Sequence, residues 1–462
     1  MTHKKYQLNN IIEQHAIDYI PENERHGKLL SQFTLWFGAN LQITAIITGA
    51  LAVVFGGDIF WSIIGLFIGQ LLGGSIMALH GAQGPKLGLP QMVMSRASFG
   101  IYGAMLPIIL VCIMYIGFSA SGSVLAGQAV ARLLSVSDSA GILLFGACLI
   151  GFTFCGYKTI HRIGKVASLV GIVAFFYMFY ILITQHNIIE LLSIRHFSWI
   201  NFSLAIALST SWQIAFGPYA ADYSRYLPTN TPMVKTFFAI GSGSVIGTQI
   251  AMVFGVLVAG LAAQTGGQFR YNEVSYIVEL SGVGFVALLL YFSIAFGKVV
   301  ITTLNAYGSF MSMTTIISGL RKNHTLSQRS RLIYILVMVG LSIMIALLGR
   351  GDFLRNFSTF LLFLLTFFTP WSAINLVDYY LVKKKHYDIP SLFDTNGLYG
   401  KWNKVGMGVY IFGILIQLLF IHTPFYTGVL VSYLHNTDIS WMIGWIIPAV
   451  LYYFLSINET NK

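Results

Sequence analysis

The amino-acid sequence predicts an all-α, polytopic membrane protein with twelve transmembrane helices. Of its 462 residues, 56% are hydrophobic and 9% are charged, and the mean hydropathy is +0.73. A soluble domain carries about 25% charged residues, so a soluble fold of this composition could not cover its own surface. A bilayer removes that requirement because lipid solvates the apolar exterior.

Apolar stretches of about 20 residues, the length that crosses a bilayer, recur along the chain. Each must be helical because lipid offers no water to the backbone polar groups. A β-barrel is excluded because the stretches are continuously apolar rather than alternating. The predicted spans are residues 29–55, 59–80, 101–131, 140–157, 165–184, 199–221, 234–263, 283–312, 331–349, 353–381, 405–423 and 439–456.

The basic residues alternate between the two sides of these spans. Of the 27 Lys and Arg residues, 21 lie on the side that holds both termini and five on the other, with Lys298 inside a span. Positive residues favour the cytoplasmic side, so we expect both termini in the cytoplasm and the protein in the cell membrane. The net charge of +11 is thus a topology signal, and no nucleic-acid partner is expected. Residues 1–28 lack the apolar core of a signal peptide.

Two spans are interrupted near their middle. Span 1 contains the run Trp36–Gln42 (WFGANLQ), and span 6 contains Ser209–Pro218 (STSWQIAFGP). Interruptions at corresponding places in two halves of opposite direction are typical of inverted-repeat transporters, where they form the ligand and ion sites. A pair of packing kinks is the alternative interpretation.

Span 8 carries a polar stripe at helical spacing: Lys298, Thr302, Asn305 and Ser309. A charge at the bilayer centre costs at least about 2.5 kcal/mol and usually faces a cavity or a partner. We therefore predict that Lys298 lies on an ion path; a purely structural lysine is the alternative.

Span 3 has a milder face, in which Ser121 follows Phe118 by one turn. This face could stack a flat ligand, although ordinary packing would also explain it. Midplane polarity is thus concentrated in spans 1, 3, 6 and 8, which are predicted to converge on one site.

Four motifs carry a family resemblance that extends over the whole chain. The sequence resembles the nucleobase:cation symporter family, purine–cytosine permease type. The motifs are IPENERHGKLLSQFTLWFGANLQI (20–43), GPKLGLPQMVMSRASFG (84–100), GPYAADYSRYLP (217–228) and PWSAINLVDYYL (370–381).

The resemblance implies a five-plus-five inverted repeat with two extra C-terminal helices. It also implies import of a nucleobase, of cytosine or purine type, by alternating access coupled to H⁺ or Na⁺. No cofactor, catalytic residue or enzymatic activity is expected, and the oligomeric state is open, with a monomer as one option. The predicted divisions are an N-terminal cytoplasmic segment (1–28), the first repeat (29–184), the second repeat (199–381), a cytoplasmic loop (382–404), helices 11 and 12 (405–456) and a cytoplasmic C-terminus (457–462).

The predicted substrate-binding residues come from the four spans. Phe118 and Trp212 offer flat faces to a base, while the amides of Gln42, Gln213 and Asn305 offer both donors and acceptors to its edge. The full predicted set is Gly38, Ala39, Asn40, Gln42, Phe118, Ser121, Trp212, Gln213 and Asn305.

One departure from the family concerns the coupling ion. Sodium-coupled relatives place hydroxyl and carbonyl ligands on span 8 where this chain has Lys298 followed by apolar residues. We hypothesise that the Lys298 amine replaces sodium, with carbonyl partners near Phe37 and Leu41. The rival interpretation keeps sodium and uses Thr302 and Thr303, so no metal ligand is certain.

Three other functions are alternatives to nucleobase import. The same fold could carry a related heterocycle such as a hydroxymethylpyrimidine, allantoin or a hydantoin, or an amino acid. Broken helices can also line the pore of a passive channel, but channels usually repeat filter residues around an oligomer. A membrane enzyme is disfavoured because no nucleophile–base or metal constellation occurs in the spans.

Overall fold

The computed structural model describes residues 17–153, 157–266, 268–320, 328–423 and 426–460. These residues form helices and loops without a named β-strand, which confirms the predicted all-α class. Residues 1–16 of the predicted N-terminal segment and residues 461–462 of the predicted C-terminus lie outside the described residues.

A helix lies at each predicted span, and we number these helices 1 to 12. Helices 1 and 6 each consist of two parts. The bounds are Leu29–Asn40 with Ile43–Val54 (helix 1), Ile59–Gly81 (2), Met105–Leu134 (3), Asp138–Thr153 (4), Tyr157–Gln185 (5), Trp199–Ile214 with Gly217–Ser224 (6), Met233–Thr265 (7), Gly284–Leu320 (8), Gln328–Gly349 (9), Phe353–Val377 (10), Lys404–Gln417 (11) and Ser440–Thr460 (12).

Short helical segments occupy the connections. They are Glu22–Glu24, Gly84–Leu87, Gln91–Phe99, Ile188–Ser193, Glu273–Glu279, Arg350–Asp352, Asp378–Val382, Pro390–Leu392 and Val431–Leu434.

Seven helical stretches in the described residues are long and apolar enough to cross a membrane. The two parts of helix 1 make an eighth crossing if they are counted as one span. Helices 9 and 10 form one continuous stretch by this test, whereas helices 4 and 11 are apolar but shorter. The several apolar helices agree with a multi-pass membrane protein, and the number twelve stays a prediction.

The break in helix 1 falls within the predicted interruption. The two parts meet at an angle of 58°, and Gln42 between them is extended, with φ −144° and ψ 157°. The Asn40 side chain donates to the carbonyl of Trp36 at 2.7 Å. Asn and Gly are weak helix formers because Asn competes for backbone hydrogen bonds and Gly loses more conformational entropy, which explains why the helix stops here.

Helix 6 is interrupted at Ala215 and Phe216, directly before Gly217 and Pro218. Proline lacks a backbone donor, so it suits the first turn of a helix and not its interior. The helix therefore begins again at Gly217, within the interruption predicted from the sequence.

Helix 7 packs against both parts of helix 1 at very short range. A Cβ atom added at Gly255 would lie 1.8 Å from the carbonyl oxygen of Ile46, and one added at Gly49 would lie 2.1 Å from that of Met252. Small residues allow such close approach of membrane helices. This packing holds helix 1, including its break, firmly against helix 7.

Helix 3 runs along helix 8 on the other side of the break. A Cβ added at Gly122 would lie 3.4 Å from the Thr302 hydroxyl oxygen and 3.6 Å from the Lys298 amine nitrogen. Helix 3 thus faces the polar stripe of helix 8, which agrees with the predicted convergence of spans 1, 3, 6 and 8.

Candidate functional site

The Lys298 amine lies against the break in helix 1. The side chain is 4% exposed, and its Nζ donates to Gln42 Oε1 at 2.7 Å and to Thr44 Oγ1 at 2.8 Å. Neither partner carries a charge. The Lys298 amine therefore lies close to helix 1, as the sequence predicted.

The partners of the amine differ from the expected ones. Backbone carbonyls near Phe37 and Leu41 were expected, but the amine donates to side-chain oxygens of Gln42 and Thr44. These side chains leave helix 1 at and just after the break, so their oxygens reach the long lysine side chain. Thr302, buried on the same face as Lys298, lies next to Gly122 of helix 3.

A cavity of about 80 Å³ opens beside this lysine. It lies between helices 1, 5 and 8, and four predicted residues line it: Gly38, Leu41, Gln42 and Lys298. This volume exceeds what one water molecule needs. Helix 5 contributes mainly small side chains, among them Gly164, Ala167, Ser168 and Gly171.

The two aromatic residues predicted to sandwich a base touch each other. The Phe118 and Trp212 ring centroids are 5.7 Å apart with planes at 86°, an edge-to-face contact. Phe118 also meets Phe360 of helix 10 edge to face at 5.3 Å. In this arrangement the rings leave no parallel slot between them, so a base would have to displace one ring.

Asn40 and Trp212 belong to a hydrogen-bonded group inside helices 1, 2, 6 and 7. The indole Nε1 of Trp212 donates to Asn40 Oδ1 at 2.7 Å, and Asn40 Nδ2 donates to Ser244 Oγ at 3.1 Å. The Ser244 hydroxyl donates to Gln213 Oε1 at 2.7 Å. Two further bonds from Gln213 Nε2 reach Thr248 Oγ1 at 3.1 Å and Gln70 Oε1.

We call these six residues the Gln213 network: Asn40, Gln70, Trp212, Gln213, Ser244 and Thr248. All are almost completely buried. Sequence reasoning missed Gln70, Ser244 and Thr248, although Ser244 and Thr248 have the i, i+4 spacing of one helical face. Three predicted substrate-binding residues, Asn40, Trp212 and Gln213, therefore hydrogen-bond to other side chains of the same chain.

The remaining predicted residues lie on helices 1, 3 and 8. Asn305 is half-buried on helix 8, and Ser121 returns its hydroxyl to the carbonyl of Gly117 at 2.9 Å. Ala39 supplies a carbonyl that accepts from Gln42 Nε2 at 2.8 Å. Phe37 is half-buried within the first part of helix 1.

Residues 19–444 match the family of permeases for cytosine/purines, uracil, thiamine and allantoin. The chain belongs to this permease family. It is 39% identical to YxlA of Bacillus subtilis (strain 168), a candidate purine-cytosine permease, over 98% of this chain and 97% of YxlA. The permease is therefore a membrane transporter and not an enzyme.

Two solved structures of Mhp1 share the fold. The inward-facing conformation gives a TM-score of 0.77 at 19% identity and covers 98% of this permease and 94% of Mhp1. A closed conformation with bromovinylhydantoin bound, described as a nucleobase-cation-symport-1 family transporter, gives 0.72 at 19% identity, with coverages of 97% and 96%. The transporter fold predicted from the sequence is thereby confirmed.

Proposed function

We propose that this permease imports a nucleobase of cytosine or purine type by cation-coupled alternating access. The family description and the resemblance to YxlA support the ligand class. The observation that carries the proposal is the broken helix 1 facing the polar stripe of helix 8, with Lys298 joining the two. Broken helices at membrane depth supply polar groups for a ligand without exposing backbone to lipid.

The coupling ion in this proposal is a proton carried by Lys298. An ammonium only donates hydrogen bonds, so it cannot ligate sodium. The amine also binds the side-chain oxygens of Gln42 and Thr44, which would otherwise be free to bind an ion. Val299 and Val300, which follow it, offer no side-chain oxygen. The cavity beside the amine would let water reach it and exchange the proton.

The base would bind between helix 1 and the facing parts of helices 3, 6 and 8. Phe118 would turn away from Trp212 so that the base can stack on an aromatic face. Asn305 would pair with the base edge, since an amide offers both a donor and an acceptor. Gln42 would contact the base from the break, where it also lines the neighbouring cavity between helices 1, 5 and 8.

Uptake by proteoliposomes tests this function. Radiolabelled cytosine, adenine, hypoxanthine and a hydroxymethylpyrimidine are offered with a proton gradient, a sodium gradient or neither. We expect uphill accumulation of a base with the proton gradient alone, and its loss in Lys298→Ala. Lys235→Ala, at an exposed position, is the matched control and should accumulate the base as the wild type does.

Other outcomes would redirect the proposal. Sodium-driven accumulation would return sodium to the site and make Lys298 structural. Accumulation of the hydroxymethylpyrimidine, or competition by allantoin or a hydantoin and not by free bases, would assign a related heterocycle. Downhill flux without accumulation would indicate a channel.

We also propose that the permease lies in the cell membrane with both termini in the cytoplasm, because the basic residues concentrate on that side. A cysteine added at the C-terminus should react in intact cells with a membrane-permeant maleimide and not with an impermeant one. Labelling by the impermeant reagent would reverse the orientation.

A further inference from the structure

A triangle of hydrogen bonds joins Gln42, Thr44 and Lys298. The Lys298 amine donates to Gln42 Oε1 at 2.7 Å and to Thr44 Oγ1 at 2.8 Å. The Thr44 hydroxyl itself donates to Gln42 Oε1 at 2.9 Å. Thr44 is 2% exposed and was not among the predicted site residues.

While the Lys298 amine is protonated, donor counting allows only one orientation of the Gln42 amide. An ammonium has donors and no acceptor, a threonine hydroxyl has one proton, and an amide oxygen has two lone pairs. The single Thr44 proton is used on Gln42, so the hydroxyl can receive the Lys298 proton. Both lone pairs of Gln42 Oε1 are then occupied, and turning the amide over would set its NH₂ group against the lysine donors.

The other end of the amide is only partly used. Gln42 Nε2 donates one hydrogen to the Ala39 carbonyl at 2.8 Å, which leaves a second N–H. Gln42 is half-buried and lines the cavity together with Gly38 and Lys298. An atom added as a Cβ at Gly38 would have no neighbour within 4 Å, so there is open space on this side of the break.

We propose that Lys298 and Thr44 hold Gln42 so that it offers a ligand a hydrogen-bond donor and no acceptor. The permease would therefore select heterocycles that present an exocyclic carbonyl oxygen, and not an amino group, at that edge. This inference rests on the proposed function and adds a specificity rule to it. Thr44 acts here as a positioning residue, since it works through Gln42.

The rule follows from the cost of unmatched groups. A ligand that presents a donor to Gln42 leaves two donors facing each other, and a buried group without a partner weakens binding roughly 10- to 100-fold. The amine that would carry the coupling proton is also the group that orients Gln42. The Gln42 amide would thus take part both in the coupling site and in recognition of the base.

The experiment compares binding of matched ligands to purified permease by isothermal titration. Hypoxanthine and adenine share a ring and differ in carrying a carbonyl or an amino group; guanine and 2,6-diaminopurine form a second such pair. For wild type and each variant, the measured quantity is the ratio of the two dissociation constants within a pair. A general loss of stability would not change this ratio selectively.

Three variants separate the parts of the triangle. Thr44→Val removes the hydroxyl at nearly constant shape, and we expect the ratio to move toward one by roughly tenfold because Gln42 Oε1 then loses one of the two donors that fix its orientation. Thr44→Ser keeps the hydroxyl and should keep the ratio. Gln42→Glu removes the N–H donors, and we expect binding of the preferred member to weaken roughly 10- to 100-fold.

Thr48→Val is the matched control for the threonine substitution. Thr48 lies one turn further on the same helix, is completely buried, and donates to the Thr44 carbonyl at 2.8 Å without contacting Gln42. It should keep the wild-type ratio. A change in ratio equal to that of Thr44→Val would overturn the inference, because the effect would then come from packing.

The remaining outcomes distinguish this inference from the proposed function. Binding by the wild type with a ratio that Thr44→Val leaves unchanged would overturn the specificity rule alone. Tight binding of the preferred base by Gln42→Glu would do the same. Failure of the wild type to bind or transport any base would overturn the proposed function, and this inference with it.

Discussion

Two buried polar clusters flank the broken helix 1, and they differ in how completely their hydrogen bonds are used. In the Gln213 network, amides and hydroxyls from helices 1, 2, 6 and 7 bond to one another without a charge. In the Lys298 cluster, an amine meets two neutral oxygens and borders a cavity. The two clusters are connected through helix 1, where Asn40 belongs to the first and Gln42 to the second.

This difference distinguishes residues that stabilise the arrangement of the helices from residues that can contact a ligand. A buried polar network whose members are all paired fixes the arrangement of the helices that contribute to it. A cluster that borders open space keeps hydrogen-bonding capacity for something that enters. We therefore propose that the Gln213 network holds the helices together and that the Lys298 cluster contacts the ion or the ligand.

The largest expected effect comes from the centre of the Gln213 network. Gln213→Leu leaves Gln70 Oε1 and the hydroxyls of Ser244 and Thr248 without this partner. Ser244 keeps its bond from Asn40 and Thr248 keeps its bond to the Ser244 carbonyl. An unsatisfied buried group costs about 1–3 kcal/mol and each lost hydrogen bond about 0.5–1.5 kcal/mol, so we expect a loss of roughly 2–6 kcal/mol of stability. Thermal unfolding in detergent measures it; a variant as stable as wild type would remove the distinction between the clusters.

Glu273, in the connection between helices 7 and 8, is a buried acid whose hydrogen-bond partner is neutral, as are the partners of Lys298. Its carboxylate accepts from Gln128 Nε2 at 2.6 Å, and burial raises the pKa of this carboxyl from 4.5 to about 7. The folded permease therefore keeps the proton to a higher pH than the unfolded chain does. Stability should fall as the pH rises from 4.5 to about 7.

The size of this pH effect is roughly 3 kcal/mol at most. Unfolding temperatures across that pH range measure it, and Glu273→Gln should lack the Glu273 part of the slope. The neighbouring Asp138, which also raises the pKa of Glu273, stays in place in this variant as an internal control. An unchanged slope would show that other groups carry the pH dependence.

Lys298→Met should affect transport far more than stability. Removing a buried amine that has only neutral partners gains free energy, while Gln42 and Thr44 each lose a donor. These contributions oppose each other, so we expect a stability change within about 1 kcal/mol and no proton-driven accumulation. Strong destabilisation without loss of coupling would place Lys298 among the structural residues.

The smallest effect is expected at Gly122, which faces Lys298 and Thr302. An added methyl would lie 3.4–3.6 Å from their side-chain atoms, an ordinary contact, so Gly122→Ala should change stability by less than about 1 kcal/mol. Gly127→Ala on the same helix is the contrast, because its Cβ would lie 2.3 Å from Ile142. Equal unfolding temperatures for both variants would contradict the packing described here.

Much of the candidate site could be predicted from individual residues. Gly38 and Asn40 predicted the break in helix 1, Gly217 and Pro218 predicted the interruption in helix 6, and the charge of Lys298 at mid-span predicted a polar contact. Each of these signals acts locally or through the cost of burying charge, so it is readable without a fold. Thr44 gave no such signal, since threonine in an apolar helix usually bonds to its own backbone.

The sequence by itself determined the helices and their interruptions, because apolar length and helix-breaking residues act within short segments. Only the tertiary structure decided which polar side chains bond to each other. Lys298 meets Gln42 and Thr44 across about 250 residues, and Trp212 meets Asn40 across 172. An amide or hydroxyl can be satisfied by protein or by ligand, and the choice depends on which helix packs beside it.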